Sequence, residues 1–252
     1  MTTTLPRHLI ATIALLVPLA AAQASPLGWL TGGDKVQGSG KVVQETRQVG
    51  RFHGVELALA GNVEVRTGSD GPITIEADDN VLPLVETVVE NGVLQIRATK
   101  KKLQLDARRL KIVVPAREIN SLGVAGSGSM SADKLRGPRL KLELAGSGTL
   151  DATGIEAREV SIEVAGSGKL QAAGNTEKLE ASVAGSGNAD AARLAARQVE
   201  ADVAGSGQVT VTARQSLDAS VAGSGIVSYH GDPQVSRSVA GSGIVRRVGE
   251  AR

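Results

Sequence analysis

Val160-Ser161-Ile162-Glu163-Val164-Ala165-Gly166-Ser167-Gly168-Lys169-Leu170-Gln171-Ala172 decides the fold. Apolar and polar residues alternate as far as Val164, Gly-Ser-Gly interrupts, and the alternation resumes at Leu170. A period of two marks a half-buried strand, and glycine admits the positive φ that a sharp turn needs. Ala-Gly-Ser-Gly occurs seven times, starting at Ala125, Ala145, Ala165, Ala184, Ala204, Ala222 and Ala240, at intervals of 18 to 20 residues. The turn glycines are therefore Gly126 and Gly128, Gly146 and Gly148, Gly166 and Gly168, Gly185 and Gly187, Gly205 and Gly207, Gly223 and Gly225, and Gly241 and Gly243. Ala60-Gly61-Asn62 reads as a diverged earlier copy.

One unit is strand, glycine turn, strand, connection. Aligning the units gives inward ladders Leu142, Ile162, Ala181, Ala201, Ala219 and Leu144, Val164, Val183, Val203, Val221, Val239. The outward ladder is Glu143, Glu163, Ser182, Asp202, Ser220, Ser238. An antiparallel array of hairpins, each capped by one tetrapeptide, would also satisfy the loop length. The near-constant interval and the recurrence of the same positions in every unit favour an all-β fold, a single-stranded β-helix (β-solenoid) with coils of ~20 residues and Gly-Ser-Gly turns. The fall from Leu and Ile to Ala along one inward ladder predicts a narrowing core, or another segment filling the space.

Outward from the repeat, residues 50–115 are β-rich without the tandem tetrapeptide, and read as the irregular first part of the same solenoid. Within them Glu90-Asn91-Gly92 marks a hairpin between Val85–Val89 and Val93–Arg97. Residues 25–49, with Gly32-Gly33 and Gly38-Ser39-Gly40, read as a flexible lead-in. Before them, basic Arg7 and His8, an apolar run from Leu9 to Leu19 and Ala22-Gln23-Ala24 have the order of a secretory signal peptide cleaved after Ala24. The apolar run is shorter than the ~20 residues that a membrane span requires. The division expected is signal peptide 1–24, lead-in 25–49, β-helix 50–245 and C-terminal tail 246–252, with the mature chain periplasmic or secreted.

Composition narrows the function. The chain contains no Cys, which excludes disulfides and thiolate metal sites. Without Arg7 the balance is 27 basic against 26 acidic residues, too even for a dedicated nucleic-acid binder. Trp29, Phe52 and Tyr229 are the only aromatic residues, so the core must be filled by Val, Leu, Ile and Ala.

Phe52-His53-Gly54-Val55, Val63-Glu64-Val65, Ile73-Thr74-Ile75-Glu76-Ala77-Asp78-Asp79-Asn80-Val81 and Gly92-Val93-Leu94-Gln95-Ile96 carry a resemblance. With the Gly-Ser-Gly copies, they make residues 50–245 similar to the bacterial family called putative auto-transporter adhesin, head GIN domain. The resemblance implies a right-handed β-helix in the cell envelope, and it implies no enzymatic activity.

The candidate chemistries are few. Gly166-Ser167-Gly168-Lys169 has part of a phosphate-binding loop, but such a loop opens a helix, and here a strand follows. It reads as a solenoid corner. His53 and His230 are too far apart for a catalytic or metal pair, and no cofactor or metal is expected. Glu143 and Glu163 should stack ~5 Å apart on the outer face. That leaves a polysaccharide-active enzyme on a β-helix scaffold as the alternative, with a solvated acidic face as the simpler reading. The densest charge feature is Arg97, Lys100, Lys101, Lys102, Arg108, Arg109 and Lys111, interrupted only by Asp106. From it Lys100, Lys101, Lys102, Arg108 and Arg109 are the candidate binding residues, with a solvated loop and strand face as the simpler reading. The expected function is that of a non-catalytic binding or structural module, and the partners expected of a binding module are anionic envelope glycan or lipopolysaccharide. Arg237 falls at an inward-phase position between Val235 and Val239, where a charge would block further stacking.

Overall fold

A computed structural model describes residues 34–250. The expected signal peptide, its cleavage site and residues 25–33 lie outside the described residues.

The fold is all-β, with a solenoid of about six turns built from stacked coils of ~20 residues. The regular part comprises β10 (Ser121–Gly126), β11 (Ser129–Ala132), β12 (Arg136–Gly146), β13 (Thr149–Gly166), β14 (Lys169–Gly185), β15 (Asn188–Gly205), β16 (Gln208–Gly223), β17 (Ile226–His230), β18 (Gln234–Gly241) and β19 (Ile244–Gly249). Every pairing among them is parallel, which rules out the hairpin array. The register sets Leu142, Ile162, Ala181, Ala201, Ala219 and Arg237 in one column, and Glu143, Glu163, Ser182, Asp202, Ser220 and Ser238 in the next. The inward column is at most 2% exposed as far as Ala219. A third side contributes Ile155, Gly174 and Leu194 in register, Ile155 and Leu194 being fully buried. Gly174 has no room for a Cβ because the Ile155 backbone lies against it.

The corner explains both glycines. All seven first glycines have φ between +111° and +120°. A Cβ at Gly166 would also lie 2.6 Å from the carbonyl oxygen of Gly146 in the coil below. Gly168 is needed for closeness instead, since a Cβ there would lie 2.7 Å from both the Gly148 oxygen and Leu144 Cδ2. The corners bond to one another: the Ser167 N–H donates to the Gly146 carbonyl at 2.9 Å, and the Ser186 N–H donates to that of Gly166 at 2.9 Å. These amides are therefore used in the ladder and cannot cradle a phosphate.

The first part is less regular than the repeat. It contains β1 (Lys35–Gln37), β2 (Val42–Arg47), β3 (Gly54–Ala58), β4 (Asn62–Thr67), β5 (Ile73–Asp78), β6 (Val85–Glu90), β7 (Val93–Ala98), β8 (Gln104–Asp106) and β9 (Leu110–Ala116), with one 3₁₀ turn at Leu82–Leu84. β3 and β4 form a coil lying parallel beneath β10 and β11. Beneath that coil, also parallel, lie β7 and β9, although they follow it in sequence. The chain thus builds one coil, steps down to lay another under it, and only then climbs. β6 closes the edge of β7 and β5 that of β9, both antiparallel, and β2 closes β5 in turn. This antiparallel layer caps the amino-terminal end.

Three expectations need correction. Within the flexible lead-in, residues 34–49 form β1 and β2, because Asp78, Asp79 and Asn80 hold Gly38-Ser39-Gly40. The Gly40 N–H donates to Asp78 Oδ1 at 2.7 Å, Ser39 Oγ to Asp79 Oδ1 at 2.6 Å, and the Ser39 N–H to Asn80 Oδ1 at 2.9 Å. The tail expected from residue 246 is crossed by β19. Finally, the register of β3 and β4 with β10 and β11 aligns Ala58-Leu59-Ala60-Gly61, not Ala60-Gly61-Asn62, with Ala125-Gly126-Ser127-Gly128. Leu59, 8% exposed, stands where the repeats place their positive-φ glycine.

Candidate functional site

The basic segment occupies the loop from β7 to β9 at the capped end. Lys100, Lys101 and Lys102 form an exposed turn, with Lys102 in the left-handed region at φ +66°. Arg108 and Arg109 are also exposed, beyond β8. The expected cluster is therefore two groups at opposite ends of a three-residue strand. At most ~20 Å of chain separates them.

This loop is pinned from two sides. β1 pairs with β8 in parallel, and Lys35 Nζ meets Asp106 Oδ2 at 3.0 Å. The fully buried Asp78 accepts the Arg108 N–H at 2.8 Å and the Arg109 N–H at 3.4 Å, while its other oxygen holds Gly40. A buried carboxylate taking several backbone donors is satisfied where it would otherwise be costly. The positioning role of Asp78 is invisible in the sequence, because its partners lie 30 and 38 residues away.

The seven cations of the run divide by partner. Arg97 bonds Glu86 and Glu90, each at 2.8 Å, and these two acids hold its guanidinium above its ordinary pKa. Arg109 meets Glu76 at 2.8 Å and Lys111 meets Glu64 at 3.3 Å. Among the described residues, the side-chain nitrogens of Lys100, Lys101, Lys102 and Arg108 have no carboxylate oxygen within 4.0 Å.

The acidic ladder is a different surface. Lys141 Nζ lies 2.7 Å from Glu143 and 3.7 Å from Glu163, so the stacked pair is bridged by a cation on an open strand face. The Glu143 bond, reinforced by both charges, raises the Lys141 pKa above its ordinary value. A second column, Ser161, Glu180, Glu200 and Asp218, runs beside the first. It extends the acidic flank, and the repeat alignment contains it at the next outward position. Lys178 is bonded to Glu180, which raises its pKa in the same way.

A groove of about 890 Å³ lies beside the lower coils, between the segments 117–120 and 134–139. Arg117, Lys134, Arg136 and Arg139 line it, and each has a carboxylate partner: Asp70, Asp133, Glu156 and Glu159 respectively. Glu118 is the one acid of the lining. His53 lies there too, its Nδ1 3.1 Å from Asn120 Oδ1, while His230 ends β17 several coils away. Among the described residues no group of three potential ligands could hold a metal ion, and no helix is long and apolar enough to cross a membrane.

Residues 51–233 match the family described as "Putative auto-transporter adhesin, head GIN domain". No curated protein matches the sequence. Among solved structures, a "putative adhesin" from Bacteroides fragilis is 26% identical, with a TM-score of 0.79, over 84% of this chain and 100% of the other. A "putative lipid binding protein" from Parabacteroides distasonis is 27% identical, with a TM-score of 0.71, over 85% of this chain and 100% of the other. A "putative adhesin" from Parabacteroides merdae shares the fold at 21% identity, with a TM-score of 0.67, over 85% of this chain and 99% of the other.

Proposed function

The chain belongs to the family described as "Putative auto-transporter adhesin, head GIN domain", and from that membership and the surfaces above we propose that it is an exported, non-catalytic binding module of the bacterial cell envelope that contacts anionic envelope polymers. The observation that carries this reading is the loop at the capped end. Lys100, Lys101, Lys102 and Arg108 present four exposed, unpaired cations within nine residues, on a loop fixed by Asp78 and β1. Cations already held in place, with no internal acid to displace, suit phosphate or carboxylate groups on a polymer. Similarity to a "putative adhesin" and a "putative lipid binding protein" is in keeping with attachment to a surface, and lipopolysaccharide offers phosphates on a lipid. The enzyme alternative lacks support. Glu143 and Glu163 are bridged by Lys141 on an open face, and glycoside hydrolysis needs two carboxyl groups facing each other across a substrate.

Co-sedimentation with purified lipopolysaccharide across a salt series tests the reading. Binding should fall steeply as salt rises, because the Debye length is ~8 Å at physiological ionic strength. A variant with Lys100, Lys101, Lys102 and Arg108 changed to Ser should lose most of it. Equal binding by the two proteins, or none by the native protein at low salt, would overturn the proposal.

A further inference from the structure

The two ends of the solenoid are finished differently. At the amino-terminal end β6, β5 and β2 cover the edges, and Arg47 Nη1 donates to the Val85 carbonyl at 2.6 Å while its Nη2 donates to that of Leu82 at 3.2 Å. At the other end nothing among the described residues stacks on β18. Its inward-phase valines, Val235 and Val239, are 40% and 43% exposed, whereas Leu217 and Val221, their register partners one coil below, are 1% and 2% exposed. Among the described residues, no strand pairs with the outer edge of the β18 backbone. Between the two valines stands Arg237, in register with the fully buried Ala219, and it makes no ion pair among the described residues.

We propose that β18 is a docking edge for an extended strand of a partner protein, and that the strand carries the pattern apolar, any residue, acid, any residue, apolar. The register dictates the pattern. A strand added to β18 continues the inward columns, so it must place apolar side chains over Val235 and Val239 and a carboxylate over Arg237. The pattern is symmetric about its acid, so a parallel or an antiparallel strand meets Arg237 alike. Main-chain hydrogen bonds supply affinity and the alternate side chains supply selectivity, as in other strand additions to a sheet edge. A second copy offering the same end does not fit, because antiparallel pairing of β18 with itself sets Arg237 opposite Arg237. The inference is independent of the basic loop, which lies at the other end.

Fluorescence anisotropy with a labelled peptide, Thr-Val-Thr-Glu-Thr-Val-Thr, and its Lys-centred counterpart tests it on the purified protein. The Glu peptide should bind at least about tenfold more tightly than the Lys peptide. Arg237→Glu should reverse that order, and Arg237→Gln, which keeps the length of the stem, should abolish the preference. A Glu peptide with both valines changed to Ser should not bind. Circular dichroism confirms that each variant is folded. Equal binding of the two peptides, no binding of either, or a preference that Arg237→Glu leaves unchanged would each overturn the proposal.

Discussion

At Gly166 and Ser167 two adjacent residues do opposite things. Gly166 has φ +115° and no room for a Cβ above the Gly146 carbonyl. Ser167 contributes its backbone N–H to the corner ladder, and its side chain is exposed. Gly166→Val should therefore cost ~1–3 kcal/mol for strained backbone, with the clash in addition. Ser167→Ala should stay within ~0.5 kcal/mol, as for surface changes generally. Thermal melts of the two variants check this, and a larger loss from the Ser change would give the hydroxyl a role the corner does not explain. The corner glycines are legible in the sequence because seven copies repeat the same constraint. Leu59 is not, since the register rather than the composition sets it at the Gly126 position, and a tetrapeptide search finds Gly61 two residues out of step.

Among the elements, the regular strands are legible and the cap is not. Alternation fixes which residues of β12 to β16 face inward, and tandem repetition fixes which positions stack. No repeat tells that β7 and β9 slip beneath β3 and β4, since that order depends on pairings 39 to 49 residues apart. β1 and β2 are hidden for another reason. They lie beside glycines that read as a loop, and they become strands only because Asp78, Asp79 and Asn80 grip that loop.

The cap also depends on charge. Glu45 is held by Arg47, Glu64 by Arg66 and Lys111, and Asp79 by Ser39 and Lys41; each carboxyl lies below its ordinary pKa, 4.5 for the two Glu and 3.8 for Asp. A depressed carboxylate pKa contributes stability that is present above the unfolded value and lost as pH falls through the folded one. Glu45 is exposed and Glu64 and Asp79 are only half-buried, so the effect is local and modest. As pH drops below about 4.5, hydrogen exchange, corrected for intrinsic rates, should rise in residues 39–47 before it rises in β13 to β15. Simultaneous loss of protection in both regions would show that the cap is not the acid-sensitive element.

For the whole molecule, the inward column runs from Leu94 through Val55, Leu122, Leu142, Ile162 and three alanines and ends on Arg237. Every coil below buries that position and the last charges it, which makes the end selective. An open parallel edge with exposed valines invites pairing with another copy, and natural sheets suppress this with a charge facing inward. Two β18 edges meeting antiparallel would bury Val235 against Val239 twice, but they would also bring two Arg237 guanidinium groups together with no acid between them. Arg237→Val removes the repulsion and adds two apolar side chains to the contact. That is worth roughly 3 kcal/mol, about a hundredfold in association constant. Sedimentation velocity at matched concentrations should show the native chain unassociated through this end and the variant forming dimers that dissociate on dilution. Arg47→Ala, which weakens the opposite end by freeing the Val85 and Leu82 carbonyls, provides the control: dimers from that variant and none from Arg237→Val would place the adhesive edge at the capped end instead.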